Sequence, residues 1–142
     1  MNELANVTEQ KLFDAIHTSA APAISKKRET FVLEAPISDW ERIDAIETIV
    51  AGLREGDILT LTHETYAEYY NVSISDKFGQ KIGYLKDGNW KIIARLMDAG
   101  KQFKAVLSPK EPEYSEHEEQ YPELMERRKT ESFLNMKIYF VE

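Results

Sequence analysis

The side chains with the greatest capacity for acid–base or metal chemistry are three histidines that lie far apart in the sequence. His17, His63 and His117 fall in a predicted helix, a predicted strand and an acidic segment, without the close spacing that metal-binding histidines show. The chain has no cysteine, which removes thiolate ligands and thiol nucleophiles. His63 and Glu68 have the residue types of an acid–base pair, but no nucleophile or oxyanion-binding group accompanies them. We therefore expect no metal, no cofactor and no enzymatic activity.

Charge is distributed unevenly along a chain whose net charge is −7. Between Gly79 and Lys104 there are six basic residues and two aspartates, so this stretch is locally +4. Much of the negative charge lies in residues 108–131. A net negative charge argues against non-specific electrostatic binding to nucleic acid, since phosphate binding depends on Lys and Arg. Phosphate contact by Lys81 or Lys86 stays open, as does the alternative that both belong to an ordinary solvated face.

Residues 1–30 are predicted to form a short helix followed by a linker. Residues 23–30 are polar and basic, which is typical of a linker and lets the preceding helix pack on the domain or on a partner. The helix is predicted from apolar residues at near-helical spacing, Leu4, Val7, Leu12, Phe13 and Ile16.

No stretch of the sequence approaches the roughly 20 apolar residues that a membrane span needs, and no secretion signal opens the chain. The absence of cysteine fits a reducing compartment. We therefore expect a soluble, cytoplasmic protein that makes no contact with a membrane. Its oligomeric state, monomer or homodimer, stays open.

Apolar residues that alternate with polar ones predict a series of short strands. The first contains Phe31, and Pro36 lies near its end, where a missing N–H is tolerated. The turn Asp76–Gly79 connects two strands of a predicted meander. The predicted strands are residues 31–37, 58–63, 72–75, 80–85, 103–107 and 135–141.

Two helices are predicted between these strands. Ser38 and Glu41 have the form of a capping box, followed by apolar residues at three- and four-residue steps from Trp40 to Leu53. Asn89 is placed to cap a second helix that ends at Gly100. Residues 108–131 are predicted to form a solvated, mobile excursion with a helical turn at 122–129.

This order of elements predicts an α+β, mainly β fold. Short strands with turns, and a last strand that returns after a long loop, are typical of a small OB- or SH3-like β-barrel. Two helices would pack on the barrel, and the N-terminal helix would lie outside it. We therefore assign residues 1–30 to the N-terminal helix and linker, and residues 31–142 to the barrel domain with its acidic excursion at 108–131.

About half of the chain, from Glu34 to Leu107, resembles the HIRAN family. The order and spacing of several short motifs carry the resemblance. They are Ala35-Pro36-Ile37, Leu53-x-x-Gly56-Asp57-x-Leu59-x-Leu61-x-x-Glu64, Gly83-Tyr84 and Ile93-Ala94-x-Leu96-x-Asp98-x-Gly100. The resemblance implies a barrel that holds single-stranded DNA at its 3′ end, by stacking of bases on aromatic rings and by contacts to sugar and phosphate. It also implies a link to DNA repair or processing, with a helicase or nuclease as partner.

The candidate binding residues follow from this resemblance and from the basic stretch. Tyr66, or Tyr69 in its place, matches the stacking tyrosine, and Tyr84 matches an aromatic position of the family. Lys86 falls where a basic residue contacts phosphate, and Arg42 falls where the family has a second stacking tyrosine. The predicted nucleic-acid-binding residues are Tyr66, Tyr69, Tyr84, Lys86, Arg42 and Lys81.

Three positions depart from the family pattern. Arg42 replaces a tyrosine, Ala67 replaces an aspartate, and Asp87 adds a negative charge beside Lys86. Together with the acidic net charge, these departures favour a second hypothesis, in which the chain is a protein-interaction domain that keeps the barrel and has a degenerate DNA site.

Overall fold

Alternation of apolar and polar residues places six strands in one antiparallel sheet. The computed structural model describes residues 27–65, 70–86 and 88–142, so the predicted N-terminal helix lies outside the described residues. The strands are β1 (Glu29–Pro36), β2 (Ile58–Thr65), β3 (Tyr70–Ser75), β4 (Lys81–Leu85), β5 (Gln102–Leu107) and β6 (Asn135–Val141). Their order across the sheet is β1-β6-β5-β2-β3-β4. The strands predicted from alternation are confirmed, and the last one has the predicted bounds.

The sheet curls until its two edges meet. β1 and β4 are the edge strands, and an isolated antiparallel bridge joins Ser38, just beyond β1, to Tyr84 of β4. The backbone N–H of Ser38 donates to the carbonyl of Tyr84 at 2.8 Å, and the N–H of Tyr84 donates to the carbonyl of Ser38 at 2.9 Å. The curl encloses one hydrophobic core, which the alternating inward residues fill.

Residues from every strand contribute to this core. Val72 and Ile74 of β3 and Ile138 of β6 are fully buried, as expected for the inward positions of strands with a period of two. Ile93 and Ala94 of the second helix complete the core from one end of the sheet. The mainly β, α+β fold predicted from the sequence is therefore confirmed as a curled half-barrel with helices packed on it.

The helix predicted from Trp40 to Leu53 is wrong in its extent. The segment forms a 3₁₀ turn at Trp40–Arg42 and a short helix α1 at Ile46–Ala51. Asp39 (φ 59°) and Ala45 (φ 57°) adopt the left-handed conformation ahead of each element, which interrupts a continuous helix. The predicted capping box is also absent, since the 3₁₀ turn has no side-chain cap.

The second predicted helix is confirmed as α2 (Trp90–Asp98). Asn89 precedes it and accepts hydrogen bonds from Ile92 and Ile93 through its backbone carbonyl, at 3.1 and 3.2 Å. No side-chain cap from Asn89 is formed.

The acidic segment is more ordered than the sequence predicts. It contains a 3₁₀ turn at Glu118–Gln120 and a helix, α3 (Pro122–Phe133), that extends beyond the predicted helical turn. Arg128 pairs with Glu118 and Glu131, each at 2.6 Å, and Arg127 pairs with Glu41 of the 3₁₀ turn after β1. The Arg128 pairs lie within the segment, and the Arg127–Glu41 pair connects α3 to the turn after β1. The segment therefore has more regular structure than predicted, and its mobility stays a prediction. Among the described residues, no helix has the length and apolar character needed to cross a membrane.

Candidate nucleic-acid interface

Tyr84 lies at the place where the sheet closes. Its backbone pairs with Ser73 of β3 on one side and with Ser38 on the other. Val72 and Ile74 point into the core, so Ser73 and Tyr84 share the outward face. Ser73 is only 2% exposed, and Tyr84 is half-buried. This outward face therefore consists of side chains that cover one another, with the Tyr84 ring among them.

Lys81 lies against the Tyr84 ring. Its Nζ is 5.1 Å from the ring centroid and donates to the Tyr84 hydroxyl at 3.3 Å. The same Nζ forms an ion pair with Glu64 Oε2 at 2.8 Å. The hydrogen bond that Lys81 donates to Glu64, and to a lesser extent the one that it donates to Tyr84, holds the pKa of Lys81 above its ordinary value against the opposing effect of burial. Lys81 is therefore a permanently charged group that a carboxylate already compensates.

Lys86 lies two residues beyond Tyr84, and a carboxylate pairs with it as well. Its Nζ is 2.5 Å from Asp39 Oδ2, and its side chain is 53% exposed. Asp39 follows Ser38 directly, so the bridge that closes the sheet also brings this carboxylate to Lys86. Lys81, Tyr84 and Lys86 thus form one group along β4, which we call the β4 face.

Arg42 lies in the 3₁₀ turn that packs against β4. Its side chain is exposed, and its backbone N–H donates to the carbonyl of Asp39 at 3.2 Å. The structure therefore brings Arg42 to the edge of the β4 face on a turn rather than on a strand.

Tyr66 and Tyr69, together with Ala67 and Asp87, lie outside the described residues. The residues that flank the tyrosines are described: Thr65 pairs with Tyr70, and Glu64 with Asn71. The strand ends on either side of these tyrosines therefore lie beside Glu64, the carboxylate that pairs with Lys81. Their role stays a prediction.

An aromatic ring with one ammonium group against it, and a second lysine two residues further along the chain, has a definite chemical capacity. A base can stack on the ring, and phosphate oxygens can accept hydrogen bonds from the ammonium groups. Glu64 and Asp39 were not identified as part of this site from the sequence. Each carboxylate is distant in sequence from the lysine that it contacts, so no local pattern indicates the pairing. The one indication in the sequence is the alternation of β2, which places Glu64 on the same face of the sheet as Thr62.

His63 is part of a separate polar contact. Its Nδ1 is 2.8 Å from Asp98 Oδ1, which links β2 to the end of α2. Glu68, the acid–base partner expected from the sequence, lies outside the described residues. In the part of the chain that the structure describes, no three His, Asp or Glu side chains are grouped as metal ligands would be.

Comparison with known proteins supports the fold. No protein-family model matches the sequence, and no curated protein matches it. Among solved structures, a structural-genomics protein from Lactobacillus plantarum aligns with a TM-score of 0.63 and 16% identity, covering 82% of this chain and 99% of that chain. The HIRAN domain of human HLTF aligns with a TM-score of 0.53 and 12% identity, covering 80% of this chain and 78% of that chain. The fold of this chain is therefore similar to that of a HIRAN domain.

Proposed function

We propose that this chain is a nucleic-acid-binding module that holds single-stranded nucleic acid, DNA 3′ ends above all, on the β4 face. The observation that supports this most directly is the contact of Lys81 with the Tyr84 ring, at 5.1 Å from the ring centroid. A second, exposed lysine, Lys86, directly follows β4. The fold similarity to a HIRAN domain supports the same conclusion.

Stacking would supply most of the affinity at this site. A base on an aromatic ring contributes about 1–3 kcal/mol, and the stack does not depend strongly on which base is present. The phosphates would replace Glu64 and Asp39 as the partners of the lysines. Exposed ion pairs contribute only about 0–1 kcal/mol, so the exchange costs little at Lys86, whose side chain is 53% exposed. The exchange costs more at Lys81, because the side chain of Glu64 is only 16% exposed. Binding should therefore be sequence-tolerant and moderately dependent on salt.

The proposal gives the chain a binding role without catalysis of its own. The chemistry would belong to a helicase or nuclease partner, and the pathway would be DNA repair or processing. This part of the proposal follows from the resemblance to HIRAN domains, and a pulldown from cells with identification of the captured proteins tests it.

Fluorescence anisotropy with labelled single strands tests binding directly. We expect affinity for a free 3′ end, weaker affinity for a strand whose 3′ hydroxyl is blocked, and a decrease in affinity as salt rises. A parallel titration with RNA of the same sequence establishes which nucleic acid is preferred. Equal affinity for free and blocked ends would contradict end recognition while leaving single-strand binding intact.

Two pairs of variants separate the β4 face from general charge. Lys86→Gln should weaken binding, whereas Lys129→Gln should not. The two lysines are matched, since they are 53% and 54% exposed and each pairs with one carboxylate. Tyr84→Leu should weaken binding about 5- to 150-fold, which corresponds to the loss of one stack, whereas Tyr84→Phe keeps the ring and should retain most of the affinity. Equal effects within both pairs would place binding elsewhere on the molecule.

One observation favours a second function, that of a protein-interaction domain. Both lysines of the β4 face are already paired with carboxylates, so the face is close to neutral. A protein partner would tolerate such a face better than a phosphate backbone would. Flat anisotropy titrations at low salt, with DNA and with RNA, would favour this alternative over the first proposal.

A further inference from the structure

An apolar, open groove lies between α2 and the β1–β6–β5 part of the sheet. It has a volume of about 410 Å³. Its apolar lining includes Val32, Leu33, Ile92, Leu96, Phe103 and Phe140. We call it the α2 groove.

The apolar side chains that line the α2 groove are more exposed to solvent than the buried side chains of the core. Ile92 is 57% exposed, Val32 is 42% exposed and Leu96 is 38% exposed. Ile92 and Leu96 lie one turn apart on α2, beside the buried Ile93, which also lines the groove. A bulge in β1 leaves Val32 outside the strand register, and Val32 and Leu33 then both line the groove. Contiguous apolar surface of this kind marks a place where another segment binds.

The described chain begins beside this groove. Lys27 Nζ donates to Gln102 Oε1 at 3.0 Å, and Gln102 follows Lys101, which lines the groove. Residues 1–26 precede this point, and their apolar residues recur at helical spacing from Leu4 to Ile16. The ten residues between Ile16 and Lys27 can span about 33 Å. This length allows the preceding apolar segment to reach the groove beside α2.

Charge at the rim also matches this segment. The exposed cations of α2 and of the following turn are Lys91, Arg95 and Lys101. Residues 1–16 carry Glu3, Glu9 and Asp14 against one lysine. The segment therefore offers an apolar side for the groove and carboxylates for its basic rim.

We propose that residues 4–16 form an amphipathic helix that binds in the α2 groove of the same chain. Its apolar side chains cover Val32, Ile92 and Leu96, and its acidic side chains face Arg95 and Lys101. Because a short linker tethers the segment, its effective concentration at the groove is high, and modest contacts are enough to hold it. This inference does not depend on nucleic-acid binding.

Paramagnetic relaxation in the full chain tests the proposal, since the absence of cysteine allows a single spin label. A nitroxide on Arg95→Cys should strongly reduce the NMR intensities of the amides of residues 4–16. The control label on Lys129→Cys lies on α3, which shares a cleft with α1 rather than with α2, and should leave these amides unaffected. No loss of intensity from the Arg95→Cys label would overturn the proposal.

Two further measurements identify the occupant. The first measurement mixes two proteins. One carries the spin label without isotope enrichment, and the other is isotope-enriched without a spin label. The amides of the enriched protein should show no loss of intensity. A loss there would mean that a second copy occupies the groove, which contradicts the intramolecular proposal. Leu12→Asp should abolish the effect of the Arg95→Cys label, whereas Gln10→Asp, with the same change in charge, should preserve it. Equal behaviour of the two variants would also overturn it.

Discussion

Replacing Gly83 with alanine should loosen the closure of the sheet, because β4 approaches the end of β1 most closely at this glycine. A Cβ at Gly83 would lie 2.5 Å from the carbonyl oxygen of Ser38 and 2.6 Å from Cγ2 of Ile37. Non-bonded heavy atoms are comfortable at about 3.5–4.0 Å. The oxygen belongs to the backbone and also accepts the hydrogen bond from Tyr84, so it cannot move without disturbing the bridge.

The loss in the free energy of unfolding caused by Gly83→Ala follows from the two ways in which the structure can accommodate the added methyl group. If the strands stay paired, the extra methyl overpacks the contact at a cost of about 1–3 kcal/mol. If they separate, the two hydrogen bonds between Ser38 and Tyr84 are lost, at about 0.5–1.5 kcal/mol each. Both responses therefore predict a loss of about 1–3 kcal/mol in the free energy of unfolding, before the change in the unfolded chain is counted.

Gly52→Ala is the matched control. A Cβ there would meet the Ile49 carbonyl oxygen at 3.5 Å, an ordinary contact, and Gly52 has φ −91°. Alanine reduces the conformational entropy of the unfolded chain by about 0.4–1 kcal/mol at either position. This contribution cancels in the comparison, so the difference between the two variants measures the close approach at Gly83 together with the backbone strain of a side chain at φ 157°.

Urea unfolding followed by the fluorescence of Trp40 and Trp90 measures the free energies. Gly83→Ala should unfold at lower urea than Gly52→Ala, with the two free energies differing by about 1–3 kcal/mol. A difference below about 0.5 kcal/mol would lie within the range of ordinary surface substitutions. Such a result would refute the reasoning, since it would mean that the edges of the sheet are not held at this distance in solution.

Three further substitutions test the polar contacts. Glu64→Gln removes the carboxylate that pairs with Lys81 and should raise nucleic-acid affinity several-fold in anisotropy titrations at low salt, while the pKa of Lys81 falls towards its ordinary value; unchanged affinity would separate Lys81 from the binding face. The hydrogen bond from Arg128 holds the pKa of Glu118 below 4.5, so its stabilising effect is present above pH 4.5 and is lost as the pH falls through the lower folded value. The unfolding free energies of Glu118→Gln and the wild type should therefore converge as the pH falls below 4.5, and a gap that does not narrow in acid would contradict this. Asp76→Ala removes an acceptor that is 3% exposed and binds two backbone N–H groups of the β3–β4 turn. The free energy of unfolding in urea should fall by about 1–3 kcal/mol. A negligible loss would mean that solvent replaces both hydrogen bonds and would contradict this prediction.

The strands and α2 were predictable because their signals are local. The alternation in residues 135–141 arises from burial of every second side chain, and it specifies β6 with the bounds that the structure shows. The apolar spacing from Trp90 similarly specifies α2, whose inward side buries Ile93 and Ala94. These signals suffice for the mainly β fold, since each element carries its own pattern of burial.

The segment after β1 shows where local patterns fail. Trp40, Ile43, Ile46 and Val50 do recur at three- and four-residue steps, but the bridge between Ser38 and Tyr84 fixes the backbone before the segment. Ala45 then adopts a left-handed conformation that no residue preference indicates. Tertiary pairing between residues distant in sequence therefore divides the predicted helix in two.

The candidate site was predictable only in part, for the same reason. Lys81 and Tyr84 lie on β4 and Lys86 directly follows the strand, so the sequence alone places them near one another. Their carboxylate partners come from β2 and from the turn after β1, and the curl of the sheet brings them close. The near-neutral character of the β4 face is thus a property of the closed sheet and has no local signal.

The position of β6 between β1 and β5 has a consequence for the order in which the protein assembles. β1 is synthesised first among the strands, yet its sheet partner is β6, and Glu29 pairs with Val141 across nearly the whole described chain. Until β6 leaves the ribosome, β1 and β5 each present an unpaired edge that is open to other chains. Pairing across such a long loop is also slow. We therefore expect nascent chains that stop before residue 135 to need chaperones, and the full barrel to form only after synthesis of the last strand.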